Sequence, residues 1–249
     1  MQSQTAHCDF AWKQMIQSLP ATADQVSAAI KDVLMKSGYL HLTWPMSFEQ
    51  YEQIAGRLGK IVLRSDVKVD LERARSQEQV RHLRGRGGIH SPSPLHLHTD
   101  PNADLVSWYC VEQDETGGPM LMLDAGNLEE HFSAQELEIL SRVELWSPSR
   151  KSEAEQETLT PMPMLTRKDG KHRIFYASWL LRESYDDEAN QVLEKFAAYL
   201  RKLEETQLIS LPIKKYDTVF IDNGRMLHGR GALPETSRRH LVRLYLRAA

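Results

Sequence analysis

From Leu95 onward the chain breaks into short apolar or alternating runs separated by turn formers, and that rhythm leaves few architectures open. Residues 95–98, 105–111 and 120–123 are of strand length, with Pro, Asn, Asp and Gly between them. Residues 143–146, 159–166 and 172–177 continue the pattern, and Asp169-Gly170 between the last two is a strong two-residue hairpin signal. The strand rhythm returns at 208–212, 218–221, 226–228 and 240–246. Helical spacing is confined to a few places. Residues 21–37 place Val26, Ala29, Ile30, Val33 and Leu34 on one face, ended by Gly38, and 39–42 then reads as a short strand. Ser47 caps a second helix that runs through Leu58, with Phe48, Tyr51, Ile54 and Ala55 as its apolar stripe and Gly59 as its stop. Further helices are expected from Ser133 to about Arg142 and over 187–206. Many short strands with segregated helices predict a mainly β fold with flanking α-helices, built on a double-stranded β-helix (a jelly-roll, cupin-like core).

The 249 residues fit one domain, with an N-terminal helical segment and a helical insertion around 186–206. At 41% hydrophobic and 26% charged residues the composition is that of a soluble globular protein. A formal charge of −3 gives no reason to expect nucleic acid or an anionic membrane as partner. No apolar run approaches the roughly 20 residues that span a bilayer. The first residues lack the basic start and apolar core of a secretory signal. Cys8 and Cys110 are too few for a disulfide framework and lack zinc-site spacing. A reducing cytoplasm is the expected compartment, and the oligomeric state stays open. Residues 64–93, polar and rich in Arg and Gly (LRGRGGIHSPSP), have the character of a long loop of the kind that closes over active sites.

His98-Thr99-Asp100 stands where the first of the crowded strands ends, and His228 follows far downstream on a returning strand. Alternation puts positions 98 and 100 on one side and Thr99 on the other. Two imidazoles and one carboxylate can occupy one face of an octahedral metal and leave three adjacent positions open, an arrangement that suits non-haem Fe(II) sites that activate oxygen. His96 shares the strand face of His98 but has no carboxylate two residues later. In a double-stranded β-helix the first and penultimate strands are neighbours, so a ligand from each can meet at one ion. Asp222, Asn223 and Arg225 are expected to hold the turn before His228, and Arg230 to do similar structural work. On the last strand, alternation places 239, 241, 243 and 245 on one face. Arg239 and Arg243 facing an interior need anionic partners, and carboxylates in a cavity would supply them through a bidentate fork. The opposite orientation would expose both arginines and bury Leu244 and Leu246.

The chain resembles the Fe(II)/2-oxoglutarate-dependent dioxygenase superfamily, in the taurine dioxygenase and clavaminate synthase-like branch that also includes gamma-butyrobetaine hydroxylase. Four segments in the family's order carry the resemblance: GYLHLTWPMSFEQYEQIAGRLGKI, LHLHTDPN, DETGGPMLMLDAG and YDTVFIDNGRMLHGRGALPETSRRHLVRLYLR. It implies that His98, Asp100 and His228 are the iron ligands. It further implies that Arg239 pairs with the far carboxylate of 2-oxoglutarate and that Arg243 reaches an anionic group of the substrate. One position departs from the pattern: Met120 stands where the family often has Thr or Ser after Gly-Gly-x, so the hydroxyl that would assist Arg239 is missing or comes from elsewhere.

The implied reaction consumes O2 and 2-oxoglutarate, releases succinate and CO2, and hydroxylates an unactivated C–H bond of a small polar metabolite. An amino acid, in a biosynthetic setting, is the preferred substrate class. Desaturation, epoxidation and cyclisation by the same chemistry remain open. A carboxylate at Asp100 argues against halogenation, for which related enzymes carry a small residue at that position. Two other classes are kept: a hydrolase that uses the three ligands for zinc, and a non-catalytic metabolite-binding barrel.

Overall fold

The computed structural model describes residues 23–72, 74, 88–115, 117–149, 158–182 and 185–248. The strand runs form two antiparallel sheets. The larger one contains, in spatial order, β1 (Tyr39–Leu42), β11 (Thr218–Asp222), β4 (Leu105–Glu112), β13 (His240–Arg247) and β2 (Lys60–Lys68). The smaller contains β10 (Ile209–Leu211), β5 (Met120–Asp124), β12 (Met226–Arg230) and β3 (Leu95–His98). Neighbours in space are distant in sequence, as the jelly roll requires. Two-stranded sheets pair β6 (Glu144–Ser149) with β7 (Thr158–Pro163), and β8 (Leu165–Lys168) with β9 (Lys171–Ile174).

Three apolar layers hold the sheets. Between them lie Val106, Trp108, Cys110, Met122, Val219, Ile221, Leu241 and Tyr245, in one buried cluster. Helices α1 (Ala23–Ser37) and α2 (Phe48–Leu58) cover the outer face of the larger sheet, packing Ile30, Leu34, Tyr51 and Ile54 with Phe220, Leu244 and Leu246. Helices α3 (Ala134–Arg142) and α4 (Asp187–Gln207) pack Leu137, Leu140, Val192 and Phe196 with Leu123 and Leu227 of the smaller sheet. The cap expected at Ser47 forms, and two others accompany it. Ser47 and Gln50 make a reciprocal capping box on α2, Ser133 and Glu136 make another on α3, and Asp186 accepts from Ala189 N at the start of α4. Asp169 and Gly170 turn the β8–β9 hairpin with φ of 52° and 76°, the paired positive φ of a type I′ turn.

The segment 64–93 differs from its expected loop. Its first residues continue β2 through Lys68, paired along β13 from Lys60 to Lys68. β2 is an edge strand that buries only one of its side chains, Ser65, so its charged and polar residues conceal the β period. Residues 88–93 form turns and bends, whereas residue 73 and residues 75–87, with part of the expected lid, lie outside the described residues. The expected strand 159–166 divides at Met164, which bonds to Val143 and Phe175 between β7 and β8. Among the described residues no helix is long and apolar enough to cross a membrane.

Candidate metal centre

β3 and β12 are direct neighbours, and their register sets His98 opposite His228. Asp100 lies two residues past the end of β3. Thr99 turns away to exchange hydrogen bonds with Tyr176: its amide donates to the Tyr176 carbonyl, and its hydroxyl accepts from the Tyr176 amide. The three expected ligands therefore converge. One donor atom from each of His98, Asp100 and His228 lies within 4.8 Å of the others. All three are buried, at 5%, 7% and 4% exposure. His96, the competing histidine, is exposed, and its role is different: its carbonyl accepts from His98 Nδ1 at 2.8 Å. That bond fixes the His98 ring and turns Nε2 toward Asp100, the usual way a second partner orients a metal-binding imidazole.

Asp100 is held from two sides. Asn223, in the β11–β12 turn, accepts from the Asp100 amide through Oδ1 at 2.9 Å, and its Nδ2 donates to the Asp100 and Ala103 carbonyls at 2.8 Å each. On the side-chain end, Arg243 Nη1 donates to Oδ1 at 3.3 Å and Oδ2 at 3.2 Å, and the Tyr245 hydroxyl donates to Oδ1 at 3.1 Å. Burial alone would raise the Asp100 carboxyl, but Arg243 and the two imidazoles hold it well below the usual carboxylate range. Burial, then the neighbouring His228, pushes the His98 imidazole down to about 3, so the ring is neutral and its lone pair is available near pH 7.

The donor set fits a divalent metal. Both ring nitrogens of His228 are buried without a hydrogen-bond partner, although Nε2 lies 3.3 Å from Asp100 Oδ2. Buried polar atoms of this kind carry a desolvation cost that a ligand would relieve. Aromatic rings wall the pair: Trp179 is centred 5.1 Å from His98, and Trp108 is centred 4.9 Å from His228.

Both arginines face inward, Arg239 from the residue just before β13 and Arg243 from within it. Arg239 and Arg243 are buried, as are Leu244 and Leu246 on the opposite face against α1 and α2. One cavity is bordered by His228, Trp108, Met120, Arg239 and Arg243, with Lys68 from β2. Arg239 forms no ion pair among the described residues. Its Nε is buried without a partner, and Nη1 reaches only the Gly118 carbonyl, at 3.4 Å. Burial pushes its pKa down to about 10. A buried cation with no ion pair among the described residues suits an incoming carboxylate. Met120 sits in the same wall and brings no hydroxyl to Arg239.

The remaining turn residues do the structural work expected of them. Arg225 pairs with Asp124, and Arg173 with Asp222 at 2.7 Å. Arg230 donates to the carbonyls of Ser91, Ser93 and Gly231, tying residues 91–93 to β12. Tyr245 is the contact that sequence reasoning missed. Alternation had placed it on the inward face, but nothing in the sequence pairs a C-terminal tyrosine with Asp100.

The sequence matches, over residues 13–245, the family described as "Taurine catabolism dioxygenase TauD, TfdA family". The chain belongs to this family. It is thus a dioxygenase of the branch that its motifs resemble, the Fe(II)- and 2-oxoglutarate-dependent one. No curated protein matches the chain in sequence. Solved structures do share its fold. One is an asparagine oxygenase in complex with Fe(II), 2S,3S-3-hydroxyasparagine and succinate (TM-score 0.66, 15% identity, covering 92% of this chain and 80% of that one). Another is the non-haem iron oxygenase OrfP with Fe and alpha-ketoglutaric acid (TM-score 0.63, 16% identity, 90% and 80% covered). OrfP with Fe, succinate and (3S)-hydroxy-L-arginine is similar too (TM-score 0.64, 14% identity, 90% and 81% covered).

Proposed function

We propose that His98, Asp100 and His228 hold Fe(II), that Arg239 anchors the distal carboxylate of 2-oxoglutarate, and that the enzyme hydroxylates a C–H bond of an amino acid or a similar carboxylate-bearing metabolite. The observation that carries this reading is a single cavity bordered by His228, with its unpartnered ring nitrogens, and by Arg239, a buried cation with no ion pair among the described residues. Iron and 2-oxoglutarate together would supply the oxidising chemistry. The protein's share is position and environment. His98 offers a neutral nitrogen, His228 offers ring nitrogens without a hydrogen-bond partner, Asp100 offers one negative charge, and Trp108 and Trp179 narrow the approach of water. Met120 leaves Arg239 without the hydroxyl neighbour frequent in the family, so the guanidinium carries the carboxylate's charge with apolar surroundings on that side.

Besides Arg239, the cavity is bordered by the cations Lys68, Arg230 and Arg243. Arg230 is committed to three carbonyls, so an anionic group of the substrate would meet Lys68 and the Nη2 of Arg243. The fold is shared with enzymes whose structures hold hydroxylated asparagine and arginine, which supports an amino acid as the first class to assay. The whole described chain fits one catalytic domain, and the paucity of cysteines fits a reducing cytoplasm. The test is a panel of amino acids and related acids assayed for succinate formation with Fe(II), O2 and 2-oxoglutarate. At least one amino acid should raise succinate release well above the substrate-free rate. No stimulation by any member of the panel would overturn the substrate class.

A further inference from the structure

Asp100 shares its carboxylate with two residues of β13 that stand two positions apart on one face. Arg243 straddles both oxygens, at 3.3 and 3.2 Å, whereas the Tyr245 hydroxyl takes only Oδ1, at 3.1 Å. The two are themselves stacked, with the guanidinium carbon 4.6 Å from the centre of the tyrosine ring. Arg243 Nε is turned back to the Ser65 hydroxyl on β2 at 3.3 Å, which fixes the far edge of the fork. All of this is buried, so each contact acts in a low-dielectric setting where it orients strongly.

We infer that Arg243 and Tyr245 are positioning residues for the metal-binding carboxylate: they lock Asp100 in one rotamer and leave Oδ2, the oxygen beside His228, as the one without the phenol. The inference rests on the metal reading of His98, Asp100 and His228 given above. It assigns Arg243 a task that exists before any substrate arrives, and Tyr245 a task where none was expected. A carboxylate with one oxygen occupied by a phenol meets an ion through the other. That favours single-oxygen ligation and keeps neighbouring coordination positions open for co-substrate and oxygen. Held loosely, the same carboxylate would rotate, and metal affinity would fall as it does when an outer partner of a ligand is lost.

Tyr245→Phe is the cleaner probe because it removes one hydroxyl and no charge. Arg243→Lys keeps the charge and loses the planar fork, so it separates geometry from electrostatics. Metal-free full-length protein is titrated with Mn(II) in the absence of 2-oxoglutarate and substrate, and the visible spectrum of the Co(II) form is recorded. Each variant should bind Mn(II) about tenfold or more weakly than wild type, with an altered Co(II) spectrum and a metal-free melting temperature close to wild type. Unchanged Mn(II) affinity and Co(II) spectrum in both variants, with only the substrate KM raised for Arg243→Lys, would overturn the inference and leave the metal site standing. If one variant does not fold, the other decides. Failure of the wild-type protein itself to bind Mn(II) or Co(II) would overturn the metal reading, and this inference with it.

Discussion

His228→Ala is expected to abolish stoichiometric Fe(II) binding and all 2-oxoglutarate turnover, while the protein stays folded. On the proposed reading His228 is one of three donors in a site whose other two lie at the β3 end, so its loss would leave ligands from one side only. The loss should exceed the roughly 10–100-fold that removal of an outer-shell partner costs. Stability should move little. The imidazole is buried without a hydrogen-bond partner in the metal-free fold, so the substitution strands no other polar group. The contacts given up are with the His98 ring, centred 4.4 Å away, and the Trp108 ring, centred 4.9 Å away. Isothermal titration with Fe(II) under anaerobic conditions, together with a thermal melt of the metal-free protein, reads both halves. Retained binding close to wild type would show that the ion is held elsewhere.

Arg239→Ala should separate co-substrate from metal. Truncating one partner of a buried, hydrogen-bonded charge pair costs about 2–5 kcal/mol, which corresponds to a roughly 30- to 5,000-fold weaker 2-oxoglutarate complex. Fe(II) affinity should stay near wild type, since Arg239 contacts none of the three ligands among the bonds described. A second readout follows from linkage. A ligand that binds only the folded state raises the melting temperature, so 2-oxoglutarate should stabilise the wild-type protein and leave the variant's melt unmoved. Equal loss of metal and co-substrate would count against the role assigned to Arg239.

Periodicity carried the fold a long way and failed where its signal was physically masked. Strands with one buried face, and the Asp169-Gly170 turn, were legible because alternation and turn chemistry are local. β2 was not, because an edge strand with Lys60, Arg64, Asp66 and Lys68 on it reads as loop until β13 is beside it. β13 was legible as a strand but its orientation was not settled by alternation: both of its faces are buried, one against helices and one against the other sheet. The site shows the same division. His98, Asp100, His228 and the inward turn of Arg239 and Arg243 followed from spacing and the family resemblance. The pairing of Arg243 and Tyr245 with Asp100 spans more than 140 positions and depends on the register of β13 against β4, which no local signal encodes.

Whether one site holds Fe(II) and 2-oxoglutarate together is decided by an anaerobic titration. Protein purified without oxygen is analysed for metal, loaded with Fe(II), and titrated with 2-oxoglutarate while visible absorption is followed. One Fe(II) per chain and a saturable charge-transfer band that appears only when both are present are the expected result, with the band lost in His228→Ala and shifted to much higher 2-oxoglutarate concentrations in Arg239→Ala. Tightly bound zinc with no 2-oxoglutarate binding would contradict the account and favour a hydrolytic use of the same three ligands.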